Sequence, residues 1–403
     1  MAEFYPFPAL RPAKGNAEKT ACLPYDVLSE AQAASLAENP ASFIHVIRSE
    51  TDLPEGTDPY SDEVYEKAHE NLESLKEQGI LVRDPQPCYY IYREIASDHV
   101  QTGIVGTVSV QEYEAGVIRR HELTVAEKED DRTRHILACR AQTGLVFLTF
   151  PEQEAIRRIT DAVTAEAPEE DFLLDGVRHQ VWSVSDNEHV QALSDAFAAE
   201  EILYIADGHH RAASSRRAAN ELQAGADSEA GRIMAAAFPA EDLSLLGYHR
   251  FVNDLNGYRV EEFLDQIRAS FTVTETEQKL PSKAHEILLV TGGKTYLLVP
   301  SSGTYCEDDP IERLDVSILQ NNLLAPVLGI SDPRRDKRIS FIGGVHGPEE
   351  VRACAAKEGT AGFILYPTDI HDLMAVAKAH GIMPPKSTWF EPKLLSGLFV
   401  HEF

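Results

Sequence analysis

No apolar run in this 403-residue chain approaches the roughly 20 residues that a membrane-spanning helix needs. The longest runs, such as Ile287-Leu288-Leu289-Val290, are cut short by charge or turn residues, so no bilayer span and no membrane partner are expected. The opening Met1-Ala2-Glu3-Phe4-Tyr5-Pro6 lacks a basic stretch followed by an apolar one and does not read as a secretory leader, which predicts a cytoplasmic protein. Cysteine is scarce: Cys22, Cys88, Cys139, Cys306 and Cys354 are odd in number, scattered and never spaced as Cys-x-x-Cys. That spacing excludes a zinc or dithiol redox pair and predicts reduced, mostly buried thiols. Glycine is never arranged as a Walker loop or as Gly-x-Gly-x-x-Gly, and no protein-kinase signature occurs, so any phosphate transfer uses another fold. Positive charge is also in short supply, with 37 Lys and Arg against 65 Asp and Glu and a formal net charge of −28. Such a field repels a polyanion, so no nucleic-acid partner is expected. A small anion is a different case, because a few converging Arg, His and backbone N–H groups hold phosphate locally inside an acidic protein.

What is present is an ordinary globular chain, 43% hydrophobic and longer than a single core usually supports. We expect two domains, 1–250 and 251–403, and a mixed α+β and α/β fold class. The first 50 or so residues mix Pro, Gly and apolar pieces, as in Cys22-Leu23-Pro24-Tyr25-Asp26-Val27, and read as ordered loop. Apolar spacing predicts helices over 60–78, 126–141, 153–166, 187–199 and 209–223, and strands over 88–92, 102–110, 145–150, 178–184 and 201–206. Beyond 250 the pattern predicts helix 259–269, a hairpin 285–291 with 294–300, helix 312–327, strand 339–343, helix 348–358, strand 361–366 and helix 370–380. This later alternation of strand and helix predicts a smaller α/β layer.

The segment with the clearest chemistry is Tyr204-Ile205-Ala206-Asp207-Gly208-His209-His210-Arg211, where a buried strand turns into a helix. A helix start offers unpartnered N–H groups and a positive dipole end, both suited to an anion. Asp207 can cap this end or hold a cation, Gly208 lets a ligand approach the backbone, and His209, His210 and Arg211 add donors. A capped helix with surface histidines is the bland reading, which the clustering of two His and an Arg disfavours.

A second constellation runs from Arg120-His121-Glu122 to His135. On a helix Lys128, Arg132 and His135 share one face, a cationic stripe able to line a phosphate site, although a solvated face of ion pairs explains the same spacing. Glu122 precedes that helix among positive residues that would keep it ionised and able to take a proton from a hydroxyl. His121-Glu122 is no zinc-protease signature, because Val125 stands where the second His belongs. Near the end of the chain Lys386, Ser387, Thr388 and Lys393 offer ammonium and hydroxyl groups among prolines, a candidate phosphate-binding lid returning to the site. His249-Arg250, beside the expected domain junction, is a weaker candidate.

Through the opening Pro-Phe-Pro-Ala-Leu-Arg-Pro (6–12), Pro24-Tyr25-Asp26-Val27, the Arg120 to Arg132 block, Asp207 to Arg211 and Lys386-Ser387-Thr388, the chain resembles a bacterial family long filed as a domain of unknown function. Its Asp-Gly-His-His-Arg turn is also similar to that of the ParB/sulfiredoxin superfamily, which contains nucleotide switches, a sulfinic-acid reductase and free-serine kinases. The turn has no counterpart of the reductase's cysteine, and no DNA-reading helix-turn-helix is evident, so the serine-kinase branch fits best. That resemblance implies a ParB/sulfiredoxin-like amino-terminal core, a small hydroxyl amino acid such as L-serine as acceptor, and ATP, ADP or pyrophosphate as donor with Mg²⁺. It further implies Glu122 as base with Asp207 and His209 in the catalytic set, Asp207 on the metal, and Arg120, Lys128, Arg132, His210 and Arg211 neutralising the phosphoryl group. The other class of function open at this point is a non-catalytic sensor of a nucleotide or phosphometabolite. The transferase reading requires the Arg120–His135 block and the Asp207–Arg211 turn to meet in the fold.

Overall fold

In the computed structural model, which describes residues 2–96 and 99–403, the Tyr-, Ile- and Val-rich segments become the spine of a nine-stranded sheet. Its strands are β1 (Phe4–Tyr5), β2 (Tyr89–Ile95), β3 (Val100–Ser109), β4 (Ile118–Arg119), β5 (Val146–Phe150), β6 (Glu170–Leu174), β7 (Val177–Val184), β8 (Leu203–Asp207) and β9 (Arg232–Pro239). They lie in the order β4-β8-β5-β9-β3-β2-β7-β6, with β1 alongside β3. The pairs β8/β4 and β9/β5 are parallel, and the other neighbours are antiparallel. Aromatic and β-branched side chains suit a pleated, buried surface, which is why 89–95 and 100–109 pair along their length. No strand is expected over 232–239, whose Met-Ala-Ala-Ala run has little β preference. The strand pairs along its length with β3 and β5, and at its end the Phe238 ring lies 2.7 Å from where a side chain on Gly103 would begin, so Gly103 makes room for that ring.

The longer helices of this unit are α1 (Asp62–Glu77), α2 (Ala126–Cys139), α3 (Glu154–Thr164), α4 (Asn187–Ala198) and α5 (His209–Glu221), which differ from the expected spans only at their ends. Short helices at Ala17–Thr20, Glu30–Leu36 and Ile44–Ile47 correct the expectation of loop over the first 50 residues, and another lies at Val110–Ala115. One core forms on the sheet from Ile104, Leu148, Phe150, Trp182, Phe197 and Ile205. Another gathers Phe43, Ile44, Leu72, Leu75, Cys139 and Val400 around α1 and the end of α2. Cys22, Cys88 and Cys139 are buried, Cys354 is half-buried and Cys306 is exposed, all as free thiols.

The chain divides into two units. The first comprises the residues up to Arg120, then Thr124–Leu243 and Pro392–Phe403, and the second comprises His121–Leu123 and Ser244–Glu391. The last segment of the chain is tied into the first unit by bridges of Leu10 with Val400 and Cys22 with Ser396.

The second unit holds strands β10 (His249–Val252), β11 (Phe271–Glu275), β12 (Ile287–Thr291), β13 (Lys294–Pro300), β14 (Ile339–Ile342) and β15 (Ala361–Leu365) in the order β11-β13-β12-β15-β10-β14. Every pairing is antiparallel, which corrects the expectation of an α/β layer. Strand–helix alternation does occur at β14, the helix Gly347–Cys354 and β15, but β10 inserts between the two strands and takes both sets of hydrogen bonds. The span 312–327 is also shorter than expected as α-helix, with Asp315–Leu319 followed by a π turn over Gln320–Leu324. His249 and Arg250 are buried in β10, where Leu365 N–H donates to His249 Nδ1 at 3.2 Å and Arg250 donates to the Pro385 carbonyl at 3.1 Å. Both serve the packing of this unit. Among the described residues no helix is long and apolar enough to cross a membrane.

Phe197 is fully buried, with its ring centroid 4.4 Å from that of Phe4 and 5.3 Å from that of Phe150. Phe197→Ala therefore loses about 3–5 kcal/mol of stability, read as a lower urea midpoint for the unfolding of the first unit.

Candidate functional site

Strand β8 ends at Asp207, and the chain reverses through Gly208 at φ +88° before α5 begins at His209. A residue with a Cβ is strained at that φ, and the Cβ would also stand 3.4 Å from the Val146 backbone. Gly208, the N-cap, provides no side-chain cap, and the positive end of the α5 dipole lies at this turn. Further along α5, Ala212, Ala213, Ser214, Ser215, Ala218 and Ala219 are all buried. Side chains this small let a neighbouring helix come close.

That neighbour is α2. Ser214 Oγ donates to the Glu129 carbonyl at 3.0 Å, and Arg217 pairs with Asp130 at 2.8 Å. The N–H of Val125, just ahead of α2, donates to His210 Nε2 at 3.0 Å. The Arg120–His135 block thus contributes a helix that packs on the one carrying the Asp-Gly-His-His-Arg turn. Between them lies a cavity of about 30 Å³ lined by Tyr25, Arg132, Gly144, Arg211, Ser215 and Ser396, with Thr143 and His135 also on its wall.

The two guanidinium groups at this cavity differ. Arg132 is bonded to Asp131 at 2.8 Å and lies 4.2 Å over the Tyr25 ring, while Tyr65 O–H donates to the other Asp131 oxygen at 2.9 Å. Burial works against the Arg132 charge, but Asp131 outweighs it and holds the group ionised. Arg211 donates to the Leu145 carbonyl at 2.8 Å and makes no ion pair among the described residues. Its guanidinium passes 2.8 Å from where a Gly144 Cβ would stand, so a larger residue at 144 would push the guanidinium aside. The cavity accordingly carries one surplus positive charge beside hydroxyls of Ser215 and Ser396, an arrangement suited to a small anion.

Asp207 does not line the cavity but lies near enough for the Arg211 charge to act on it. Its Oδ2 accepts from Lys393 Nζ at 2.8 Å and its Oδ1 from Gly208 N–H at 2.7 Å. Burial pushes the carboxyl up, but Lys393, the Gly208 amide and Arg211 together hold it well below the usual carboxylate range.

The remaining sequence candidates fall out differently. Lys128 and Arg120 are exposed and do not line the cavity. The stripe is therefore not continuous, because the helix turns Lys128 to solvent before Arg132 reaches the interior. His135 is no cation: burial and the Arg132 charge lower it to about 4, and its Nε2–H donates to the Val46 carbonyl at 2.9 Å. His210 spends Nε2 as an acceptor from the backbone, so that nitrogen has no proton to offer phosphate. His209 is buried at the first position of α5. Glu122 is half-buried in the short stretch that belongs to the second unit. Lys386, Ser387 and Thr388 also belong to the second unit, where Ser387 Oγ donates to the Pro384 carbonyl at 2.6 Å and Lys386 lies 5.6 Å from the Tyr248 ring centroid. The segment that returns to the first unit begins later, at Pro392, and brings Lys393 and Ser396. Gly144, Ser215 and Ser396 carry no local motif, and Tyr25 stood out only within Pro24-Tyr25-Asp26-Val27.

Residues 4–317 match the family described as "Protein of unknown function (DUF1015)". The chain belongs to this family. Lys386-Ser387-Thr388 lies beyond the matched span. No curated protein matches the chain. Among solved structures it is similar to a conserved hypothetical protein from Pyrococcus furiosus at 14% identity and a TM-score of 0.38, over 76% of this chain and 97% of that one. It is similar to SbnI with a carboxy-terminal truncation from Staphylococcus aureus at 14% and 0.39, over 72% and 85%. A third similarity is to a free serine kinase in complex with AMP, at 14% and 0.37, over 73% and 89%.

The buried His135 makes stability depend on pH. The folded imidazole takes a proton only at about 4, whereas the ordinary group does so at 6.5. Its contribution is complete above the ordinary value and is lost as the pH falls toward the folded one. Between about pH 7.5 and about pH 5 the His135-dependent part of the loss is about 2 kcal/mol. Urea titrations of wild type and His135→Gln at both pH values should show the smaller pH dependence in the variant.

Proposed function

We propose that this protein is a phosphotransferase that phosphorylates a small hydroxyl metabolite, with free L-serine as acceptor and ATP, ADP or pyrophosphate as donor. The observation that carries the reading is the convergence of Arg132 and Arg211 on one cavity, where Arg211 donates to a backbone carbonyl and forms no ion pair among the described residues. In a chain of net charge −28, a local surplus of positive charge marks a place built for an anion. The positive dipole end of α5 and the hydroxyl-bearing Ser215 and Ser396 suit phosphate oxygens in the same way. The resemblance of the turn to the serine-kinase branch supplies the reaction class and the acceptor.

In this reading Glu122 removes the proton from the serine hydroxyl as the serine oxygen attacks phosphorus and the bond from phosphorus to the donor's bridging oxygen breaks. Arg132 and Arg211 neutralise charge on the transferring group, and His209 and His210 fix the start of α5. Transfer of this kind depends chiefly on positioning and on fixed charges aimed at the phosphoryl oxygens. Asp207 would hold Mg²⁺, whose chemistry is to neutralise donor phosphates. A single carboxylate completed by phosphate oxygens and waters suits that ion, once Lys393 has left Oδ2.

Purified protein incubated with L-serine, Mg²⁺ and each of ATP, ADP and pyrophosphate should yield O-phosphoserine with at least one donor, measured by mass spectrometry. Arg211→Ala should lower kcat/KM about 100-fold or more, and Glu122→Gln should lower kcat by about 100-fold while leaving donor affinity in place. No phosphoserine with any donor sinks the transferase reading. Donor binding that Glu122→Gln leaves unchanged, with no turnover in wild type, identifies a phosphometabolite sensor instead.

A further inference from the structure

The segment Pro24-Tyr25-Asp26-Val27 forms a turn, closed by Val27 N–H donating to the Pro24 carbonyl at 3.2 Å. The turn is held from both sides. Cys22 exchanges both backbone hydrogen bonds with Ser396, at 3.1 and 2.9 Å, and Arg48 donates to the Tyr25 and Leu28 carbonyls, each at 3.4 Å. This fixes Tyr25 on the wall of the cavity shared by Arg132 and Arg211, with the Arg132 guanidinium 4.2 Å from the centre of its ring. The Tyr25 hydroxyl makes no hydrogen bond among the described residues. The phenols of Tyr65, Tyr90 and Tyr92, by contrast, are shared with Asp131, Asp84 and His179 at 2.9, 2.7 and 2.8 Å. A polar group withdrawn from water is costly unless it is paired, so a phenol left single on a cavity wall points to a partner that arrives with a ligand.

Resting on the reading of this cavity as a phosphate site, we propose that Tyr25 is a further anion-binding residue there, its hydroxyl donating to a phosphoryl oxygen that Arg132 and Arg211 neutralise. The cavity's volume of about 30 Å³ is room for about two oxygen-sized groups. It therefore takes the oxygens of one phosphoryl end, with the rest of the donor outside. The Arg132 and Arg211 charges both reach the phenol and favour its ionised form, but burial acts more strongly the other way, so the group is pushed up from its ordinary value and keeps its proton. It remains a donor. A neutral donor holds an anionic oxygen without adding to the repulsion between two guanidinium groups. The same ring seats Arg132, so the position of that charge and the hydrogen bond to the anion are set by one side chain.

The test is calorimetric titration of inorganic pyrophosphate into the full-length protein at low ionic strength, with the unliganded Tm of every variant recorded. Tyr25→Phe keeps the ring beside Arg132 and removes only the hydroxyl, so Tm should stay at the wild-type value while binding weakens about tenfold. Tyr25→Leu, which also removes the seat of Arg132, should weaken it further. Pyrophosphate should perturb the near-ultraviolet tyrosine absorbance of wild type more than that of Tyr25→Phe, a signature that a merely packed ring does not give. Equal affinity of wild type and Tyr25→Phe, with binding lost in Arg211→Ala, overturns the role of Tyr25 and leaves the site reading standing. Weaker binding by Tyr25→Phe that comes with a lower Tm and the wild-type difference spectrum marks a structural hydroxyl and also overturns it. Wild-type binding that is absent, or indifferent to both Tyr25→Phe and Arg211→Ala, overturns both.

Discussion

How closely α2 can lie against α5 governs the chemistry available to the first unit. The face that α5 turns inward is made of alanines and serines, and Ser214 reaches the Glu129 carbonyl directly. At that separation Arg132 from one helix and Arg211 from the other line the same small cavity. Two guanidinium groups sharing a partly buried space repel each other unless negative charge is supplied. Asp131, itself fixed by Tyr65, supplies it for Arg132. Arg211, which lies across Gly144, donates to the Leu145 carbonyl instead of pairing with a carboxylate of its own helix layer. A wider gap between the helices would let each arginine find its own carboxylate at the surface, as Arg217 does with Asp130.

The local surplus sits within a strongly acidic chain, and the two facts are compatible because of distance. Charges separated by more than a Debye length are largely screened by salt, so the bulk of the acidic surface affects encounter more than binding. Within the site the balance is set by Asp131, Asp207, Lys393 and the two arginines. Neutral histidine supports this economy. His135 is buried next to Arg132 and sheds its charge, and His210 is occupied in receiving the amide that starts α2, so neither adds to the repulsion.

Much of the architecture was legible in the residues. Amphipathic spacing at Val64, Ala68, Leu72 and Leu75 marked α1, and the Tyr- and Val-rich runs marked β2 and β3, because burial on one face leaves its period in the chain. The segment 232–239 was not legible, since alanines carry no strand preference and its place in the sheet comes from pairing with β3 and β5, segments distant in the chain. Strand direction in the second unit was hidden for a related reason. Alternation of strand and helix says nothing about β10 arriving between β14 and β15.

By itself the sequence determined that a helix start follows Asp207-Gly208, because a left-handed glycine and the dipole end of the helix are local properties. It also determined that Arg132 and Arg211 were candidates. Which charges meet, which are cancelled and which face solvent was decided only by the tertiary structure. Lys128 and Arg132 lie on the same stripe of α2, yet one is solvated and the other interior, because depth depends on what packs against the helix. Asp207 and Lys393 are far apart in the chain and carry no shared motif, and the return of Pro392–Phe403 to the first unit is what joins them. Pairing energies depend on distance and desolvation, and both are properties of the folded chain.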